Sequence, residues 1–223
     1  MRAWWELARV VAVIALLVAL LALTKGVIIL LGDRFPVPTL IGMIVAFLTP
    51  PAVILINRER ARRRMRNWAA TGEWTPVAPD ARTWPWQDLL RQGRVRVRRA
   101  WTREVDGFPV VAGELHWTGN ALAGAVTGDK GRGVFVVVRL PLTVPSMALR
   151  PPSGFVGDSF RLDRPELRAA YVAGELPAWT ARGDELFTVE QRHGWVWPET
   201  TEAAIRRALR TVTLLDLGPD LTS

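Results

Sequence analysis

The chain has 223 residues, enough for one or two domains, with 49% apolar and 22% charged residues. It contains no cysteine and two histidines, which excludes disulfide frameworks, zinc–thiolate sites, iron–sulfur clusters, cysteine nucleophiles and His-rich metal sites. The net charge of +8 is concentrated in residues 57–103, where 13 arginines stand against four acidic residues. Because this excess directly follows a hydrophobic segment, it indicates membrane orientation and not nucleic-acid binding.

Two hydrophobic stretches predict a transmembrane helical hairpin at residues 1–56. The spans cover about residues 5–28 and 37–56, and each is long enough to cross a ~30 Å hydrocarbon layer. A signal peptide is the alternative for the first stretch, but no clear small-x-small cleavage site precedes Lys25. Pro50 and Pro51 interrupt the second stretch. They are typical of a kinked helix, with a functional helix break as the alternative.

A run of arginines follows the second span: Arg58, Arg60, Arg62, Arg63, Arg64 and Arg66. Arginines beside a span resist translocation, so we expect a multi-pass cell-membrane protein with both termini cytoplasmic. The same six side chains are the candidate contacts for lipid headgroups. Each arginine near an anionic inner leaflet adds roughly 1 kcal/mol of attraction. A topology signal without a lipid role is the alternative.

The segment 57–93 is predicted to be a basic juxtamembrane segment and linker that contains Trp and Pro. Its first part continues the second span as a helix, and Ala61, Met65 and Trp68 form a narrow apolar stripe that can lie on a membrane surface. Three further tryptophans are unusual for a free linker and indicate contact with the membrane interface or with the following domain. They are Trp74, Trp84 and Trp86.

Residues 94–223 are predicted to form a cytoplasmic α+β domain with a mainly antiparallel sheet and two or three helices. Residues 94–98 alternate strictly between Arg and Val, which predicts a strand with one solvated face. The run 134–138 is apolar on both faces and predicts a central strand. Pro165 and Pro198 mark the starts of two helices.

Other short segments are assigned from weaker patterns. Residues 121–127 are predicted to be a strand of small residues and residues 160–162 a short strand. Residues 186–191 and 195–197 are predicted to pair as a hairpin. On the last helix we expect Arg206, Arg207 and Arg210 to face outward.

A resemblance rests on a series of features of the domain. These are the Phe-Val-Val-Val-Arg-Leu-Pro-Leu-Thr-Val-Pro segment that ends at Pro145, the Phe-Arg-Leu and Pro-Glu-Leu-Arg-Ala-Ala-Tyr segments that end at Leu162 and Tyr171, the predicted Trp-bearing hairpin that follows them, and the final helix. Together they resemble a group of uncharacterised actinobacterial two-span membrane proteins with a cytoplasmic α+β domain. The resemblance spans about residues 94–217. It implies the fold and the membrane location, and it implies no activity and no functional residues.

The chain offers few residues for chemistry. Glu114 and His116 lie two apart on one predicted strand face, where a carboxylate could orient a histidine as a general base. No serine lies in a nucleophile-elbow pattern, and a solvated strand face explains the pair as well. The Gly-rich run 128–133 precedes a strand, so it predicts a hairpin turn and not a phosphate loop. We therefore assign no catalytic residue, no metal site and no cofactor.

Two functions from different classes remain. The first is a membrane-anchored, non-enzymatic module that binds a protein partner or organises a membrane complex. The second is an enzyme or small-ligand receptor with a site around Glu114 and His116. The lack of catalytic motifs favours the first. A pocket that contains this pair and converging polar groups would favour the second.

The predicted topology is testable because the chain has no native cysteine. Single cysteines introduced at Ser153 and Ser223 should resist a membrane-impermeant thiol reagent in intact cells and react after lysis. Labelling of either position without lysis would overturn the predicted orientation.

Overall fold

The computed structural model describes residues 37–87, 93–119, 122, 125–126 and 128–218. The chain divides into two compact units, Met1–Asn57 and Arg58–Ser223. The first predicted span, residues 5–28, lies outside the described residues.

The described residues form three α-helices, a short 3-10 helix and six strands. The α-helices are α1 (Val37–Thr71), α2 (Pro165–Val172) and α3 (Pro198–Leu214), and the 3-10 helix is Phe160–Asp163. The strands are β1 (Thr75–Val77), β2 (Arg94–Val105), β3 (Phe108–Thr118), β4 (Lys130–Arg150), β5 (Gly154–Val156) and β6 (Trp179–Gln191). All pairings in the six-stranded sheet are antiparallel. The predicted α+β class with an antiparallel sheet is therefore confirmed.

The predicted second span, residues 37–56, forms the first part of α1, with Pro50 and Pro51 inside the helix. Large apolar side chains are exposed along this part, including Phe47 at 81% and Leu55 at 62% exposure. Within the described ranges, no helix combines the length and the apolar content that a membrane crossing requires.

Strand β4 is the centre of the sheet. It pairs with β3 along one edge and with β6 along the other, and its C-terminal end also pairs with β5. Val134, Phe135, Val136, Val137 and Val138 are at most 1% exposed. The prediction of a central strand that is apolar on both faces is thus confirmed, because a strand paired on both edges and covered on both sides has no solvated face.

Alternate residues of β4 enter two separate hydrophobic cores. Val134, Val136 and Val138 face the helices, where they pack with side chains of α1 and α3. Phe135 and Val137 face the opposite side. That side is covered by loop residues and by two buried tryptophans that precede β2. Trp84 and Trp86 stack with ring centroids 5.2 Å apart, and the ring of each meets Phe135 edge-on.

The end of α1 is part of the domain. In the predicted apolar stripe, Met65 is fully buried and lies 4.0 Å from the Thr201 hydroxyl of α3. The indole N–H of Trp68 donates to Glu202 at 2.9 Å. The stripe therefore packs on the domain, and this packing fixes the part of the helix that carries the arginines. Trp74 is also buried in this core.

Several assignments of short segments are wrong. The described members of 121–127 form turns and bends, and Leu122 and Ala125 cover the second core. Residues 160–162 belong to the 3-10 helix, because Ser159 accepts a hydrogen bond from the Arg161 backbone and closes a turn. Residues 195–197 are not a strand, and β6 pairs with β4 instead of forming the predicted hairpin.

The outer face of α3 also differs in one residue. Arg207 donates to both carboxylate oxygens of Glu190, at 2.8 and 2.5 Å, and so it links the helix to β6. Arg206 faces outward as predicted. Its side chain is 71% exposed and makes a 4.0 Å contact with Glu202.

The burial of Val136 and the exposure of Arg206 predict different effects on stability, to be measured on the full chain in a non-ionic detergent. Val136→Asp places an unpaired charge at a fully buried site, which should cost at least several kcal/mol of unfolding free energy. Arg206→Ala should cost less than about 0.5 kcal/mol, because its surface pair is weak. Thermal melts followed by tryptophan fluorescence give both values. Similar melting of the two variants would contradict the assignment of the core.

Candidate functional site

A β-bulge in β2 arranges the charged residues of the site. Val97 pairs with Leu115, but Arg99 pairs with Glu114, so Arg98 is an extra residue without a partner on β3. Strict alternation would place Arg99 on the face of Val97. The bulge instead turns Arg99 to the face of Glu114, because directly paired residues share a face.

Cross-strand pairing then collects charged side chains on the helix-facing side of the sheet. Arg96 pairs with His116, and His116 pairs with Arg132 of β4. Further along the same face, the pair of Ala112 and Val136 belongs to the hydrophobic core. Along this face of the sheet, the side chains change from apolar at the pair Ala112–Val136 to charged or polar at the pair His116–Arg132.

Glu114 is the acceptor at the centre of this group. Its carboxylate accepts a hydrogen bond from Arg99 Nη2 at 2.6 Å, and its other oxygen lies 3.3 Å from His116 Nε2. Its side chain is 10% exposed, whereas that of His116 is 40% exposed. The predicted solvated face is thus wrong for Glu114, and the pair predicted from the sequence is in contact.

The pKa of Glu114 reflects opposing effects. Burial by itself raises the pKa, because it disfavours the charged carboxylate. The hydrogen bonds and positive charges of Arg99 and His116 outweigh burial, and the pKa lies below its usual 4.5. Glu114 is therefore ionised at neutral pH and neutralises Arg99.

These residues line a cavity of about 680 Å³ within the second unit. The cavity lies beside the N-terminal part of β2, where β1 pairs no further than Ala100. Six arginines line it, against the two carboxylates of Asp80 and Glu114, which leaves an excess of four positive charges when His116 is neutral. The six are Arg58, Arg62, Arg96, Arg98, Arg99 and Arg132.

The arginines of the cavity differ in their partners. Arg99 is paired with Glu114, and Arg132 donates to the His193 carbonyl at 3.0 Å while lying over the ring of Trp195. Arg58, Arg96 and Arg98 form no ion pair or hydrogen bond with any residue that the structure describes. We call these three side chains the unpaired arginines.

The six arginines predicted as lipid contacts separate into different environments. Arg58 and Arg62, four residues apart on α1, both line the cavity. Arg63 and Arg66 contact Glu59, at 3.2 and 3.4 Å. Arg64 lies over the ring of Trp197, with its guanidinium carbon 5.4 Å from the ring centroid. Arg60 is exposed.

The part of the site that comes from the sheet was not predicted from the sequence; it consists of Arg96, Arg98, Arg99 and Arg132. One signal was present. Two consecutive arginines at 98 and 99 end the strict alternation of Arg and Val, as a bulge requires. Arg132 gave no such signal, since its place beside His116 depends on the register of β4.

The lining can bind an anion but offers little for covalent catalysis. Its described residues include no Ser, Thr, Tyr or Lys. Across the described ranges, no three His, Asp or Glu side chains are grouped to hold a metal ion. Six of the cavity's lining residues are arginines, and guanidinium groups form paired hydrogen bonds with carboxylates and phosphates.

Comparisons of the chain with protein-family models, with curated proteins and with solved structures find no match. The resemblance to actinobacterial membrane proteins therefore stays a prediction.

The pKa of Glu114 predicts how stability depends on pH. Because folding lowers this pKa, the stabilisation by the ionised group is complete above pH 4.5 and is lost as the pH falls through the lower value of the folded protein. Glu114→Gln keeps the shape but not the charge. At neutral pH it should cost about 1.5–3 kcal/mol, as for a charge-assisted hydrogen bond.

Thermal melts of the full chain and of this variant should converge as the pH falls from about 7 through 4.5 and on through the lower pKa of the folded protein. A difference that stays constant over this range would show that Glu114 is not an ionised partner of Arg99.

Proposed function

We propose that the protein is a membrane-anchored, non-enzymatic receptor that binds a small anionic ligand in the arginine-lined cavity. The observation that carries this proposal is the presence of the three unpaired arginines in one cavity. The proposal joins the predicted membrane module to the predicted alternative of a ligand site around Glu114 and His116.

Electrostatics supports an anionic ligand. Like charges that line one cavity repel one another, and partial burial strengthens the repulsion because it lowers the local dielectric constant. Arg58 is half-buried, whereas Arg96 and Arg98 are exposed, so burial strengthens the repulsion at Arg58 only, and a bound anion would relieve it. Glu114 already neutralises Arg99, so the remaining positive charge is available to a ligand.

The dimensions of the cavity support a small molecule. Ligand sites commonly have volumes of about 300–1,000 Å³, and the cavity of about 680 Å³ lies within this range. Arg99 is held by its ion pair with Glu114, and the part of α1 around Met65 is packed on the domain. Parts of the lining are therefore fixed before a ligand binds, which lowers the entropic cost of binding.

Membrane anchoring is supported by the first part of α1. Phe47, Ile54 and Leu55 are more than half exposed, and exposed apolar groups of this size are stabilised when lipid covers them. The arginines that follow support the cytoplasmic side for the domain. The proposed location is the cell membrane, with both termini cytoplasmic.

A second candidate is an enzyme in which His116 acts as a general base. The 3.3 Å contact between His116 Nε2 and Glu114 Oε1 favours it, since a carboxylate can orient an imidazole for proton transfer. Its test is turnover of a bound phosphate compound, for example pyrophosphate followed by phosphorus NMR. Turnover that His116→Gln abolishes would favour the enzyme.

Binding to a protein partner stays a prediction.

Anion binding is testable by calorimetry on the full chain in a non-ionic detergent, with inorganic pyrophosphate as the probe. Saturable binding is expected. Arg96→Gln together with Arg98→Gln should weaken it about tenfold, because both arginines are exposed and exposed ion pairs contribute up to about 1 kcal/mol each.

The matched control is Arg94→Gln together with Arg103→Gln. These two arginines are exposed on the same strand and do not line the cavity. Their replacement removes the same amount of positive charge as the test variant. Their replacement should leave affinity nearly unchanged. Absence of saturable binding by the unmodified protein, or an equal loss in both double variants, would overturn the proposal.

A further inference from the structure

We propose that the cavity binds a phosphomonoester dianion, presented as the headgroup of a membrane lipid. This inference rests on the proposed function and names the chemistry and the source of the ligand. The same phosphomonoester chemistry could also come from a soluble metabolite, and the experiment below separates the two sources.

The charge of the unpaired arginines matches a phosphomonoester. Arg58, Arg96 and Arg98 provide three guanidinium groups without a counter-ion among the described residues. A phosphomonoester carries a charge of about −1.5 to −2 at neutral pH and three strong acceptor oxygens. A phosphodiester carries a single negative charge and leaves more of the arginine charge uncompensated. The cavity should therefore prefer a monoester headgroup to a diester headgroup.

The chain connects the cavity closely to the apolar part of α1. Arg58 follows the half-exposed Ile56 by two residues, so their Cα atoms lie within about 7 Å of each other in any conformation. Arg62 lies one helical turn after Arg58, about 6 Å further along the axis. If the residues up to Ile56 are in lipid, chain connectivity alone keeps Arg58 close to the headgroups.

The lining also contains apolar groups suited to the non-phosphate part of a lipid. Val95 and Trp195 are half-buried and contribute to the cavity along with the arginines. Tryptophan is favoured at the membrane interface because its ring is apolar and its N–H is polar. A free phosphate ion would contact the arginines alone, whereas a headgroup with its glycerol would also cover these side chains.

This binding differs from general attraction of a basic stretch to an anionic leaflet. A general attraction depends on the number of arginines near the lipid, so every arginine of the stretch contributes similarly. Binding in the cavity depends on the arginines that line it. Arg58 and Arg62 should therefore matter, and Arg60 and Arg63 should matter little, although both pairs lie on α1.

The experiment uses the full chain in non-ionic detergent micelles and short-chain lipids at equal mole fraction. Dioctanoyl phosphatidic acid is the monoester probe and dioctanoyl phosphatidylglycerol the diester probe. Glycerol 3-phosphate is the soluble monoester. Tryptophan fluorescence follows binding, since Trp84, Trp86 and Trp195 line the cavity. We expect phosphatidic acid to bind at least tenfold more tightly than either of the other two.

Two pairs of double variants complete the design. Arg58→Gln with Arg62→Gln, and Arg96→Gln with Arg98→Gln, should each weaken phosphatidic acid binding about tenfold or more. The controls Arg60→Gln with Arg63→Gln, and Arg94→Gln with Arg103→Gln, should change it less than about threefold, because they are not part of the lining. Thermal melts verify that every variant is folded, and the strand variants test the site independently of α1.

The outcomes separate the two proposals. Equal affinity for phosphatidic acid and glycerol 3-phosphate would overturn the lipid source and leave the anion site in place. Equal affinity for the two lipids, or equal losses in test and control variants, would overturn the phosphomonoester site in favour of general charge attraction. If none of these probes binds and pyrophosphate also fails to bind, the proposed function itself is wrong.

Discussion

The two-sided burial of β4 is the constraint on which the rest of the domain depends. Because both edges of this strand are paired and both faces are covered, Val136 and Phe135 must be packed from opposite directions. Helices α1 and α3 cover one direction, and a loop layer with Trp84 and Trp86 covers the other. The charged cavity lies where the helix-side core ends along the sheet, at the paired residues His116 and Arg132.

Packing of α1 on the domain determines which of its arginines belong to the cavity. Met65 is buried among residues of the core, and the helix is therefore fixed in rotation about its axis. Arg58 and Arg62 are then directed to the cavity, while Arg63 and Arg66 are paired with Glu59. A stretch that has uniform composition in the sequence thus becomes two chemically different surfaces.

The fold and the site were predictable to different degrees, for physical reasons. The central strand at 134–138 and the starts of the helices at Pro165 and Pro198 follow from local patterns, and all three were predicted. The short strand expected at 160–162 was wrong, because three residues carry too little periodicity to separate a strand from a turn. The pair of Glu114 and His116 follows from alternation in β3. Its arginine partners do not, since they depend on strand register and on a bulge, which arise from contacts distant in sequence.

Arg98 has an unusual relation to the sheet. If this single residue were removed, Val97 and Arg99 would become neighbours and could keep their present partners, Leu115 and Glu114. The ladder would then be regular, and every other side chain of β2 would stay on its present face. One unpaired charge of the cavity would disappear. The gain or loss of one codon at this position therefore changes the charge that lines the cavity while it leaves the strand order and the facing of the other side chains intact.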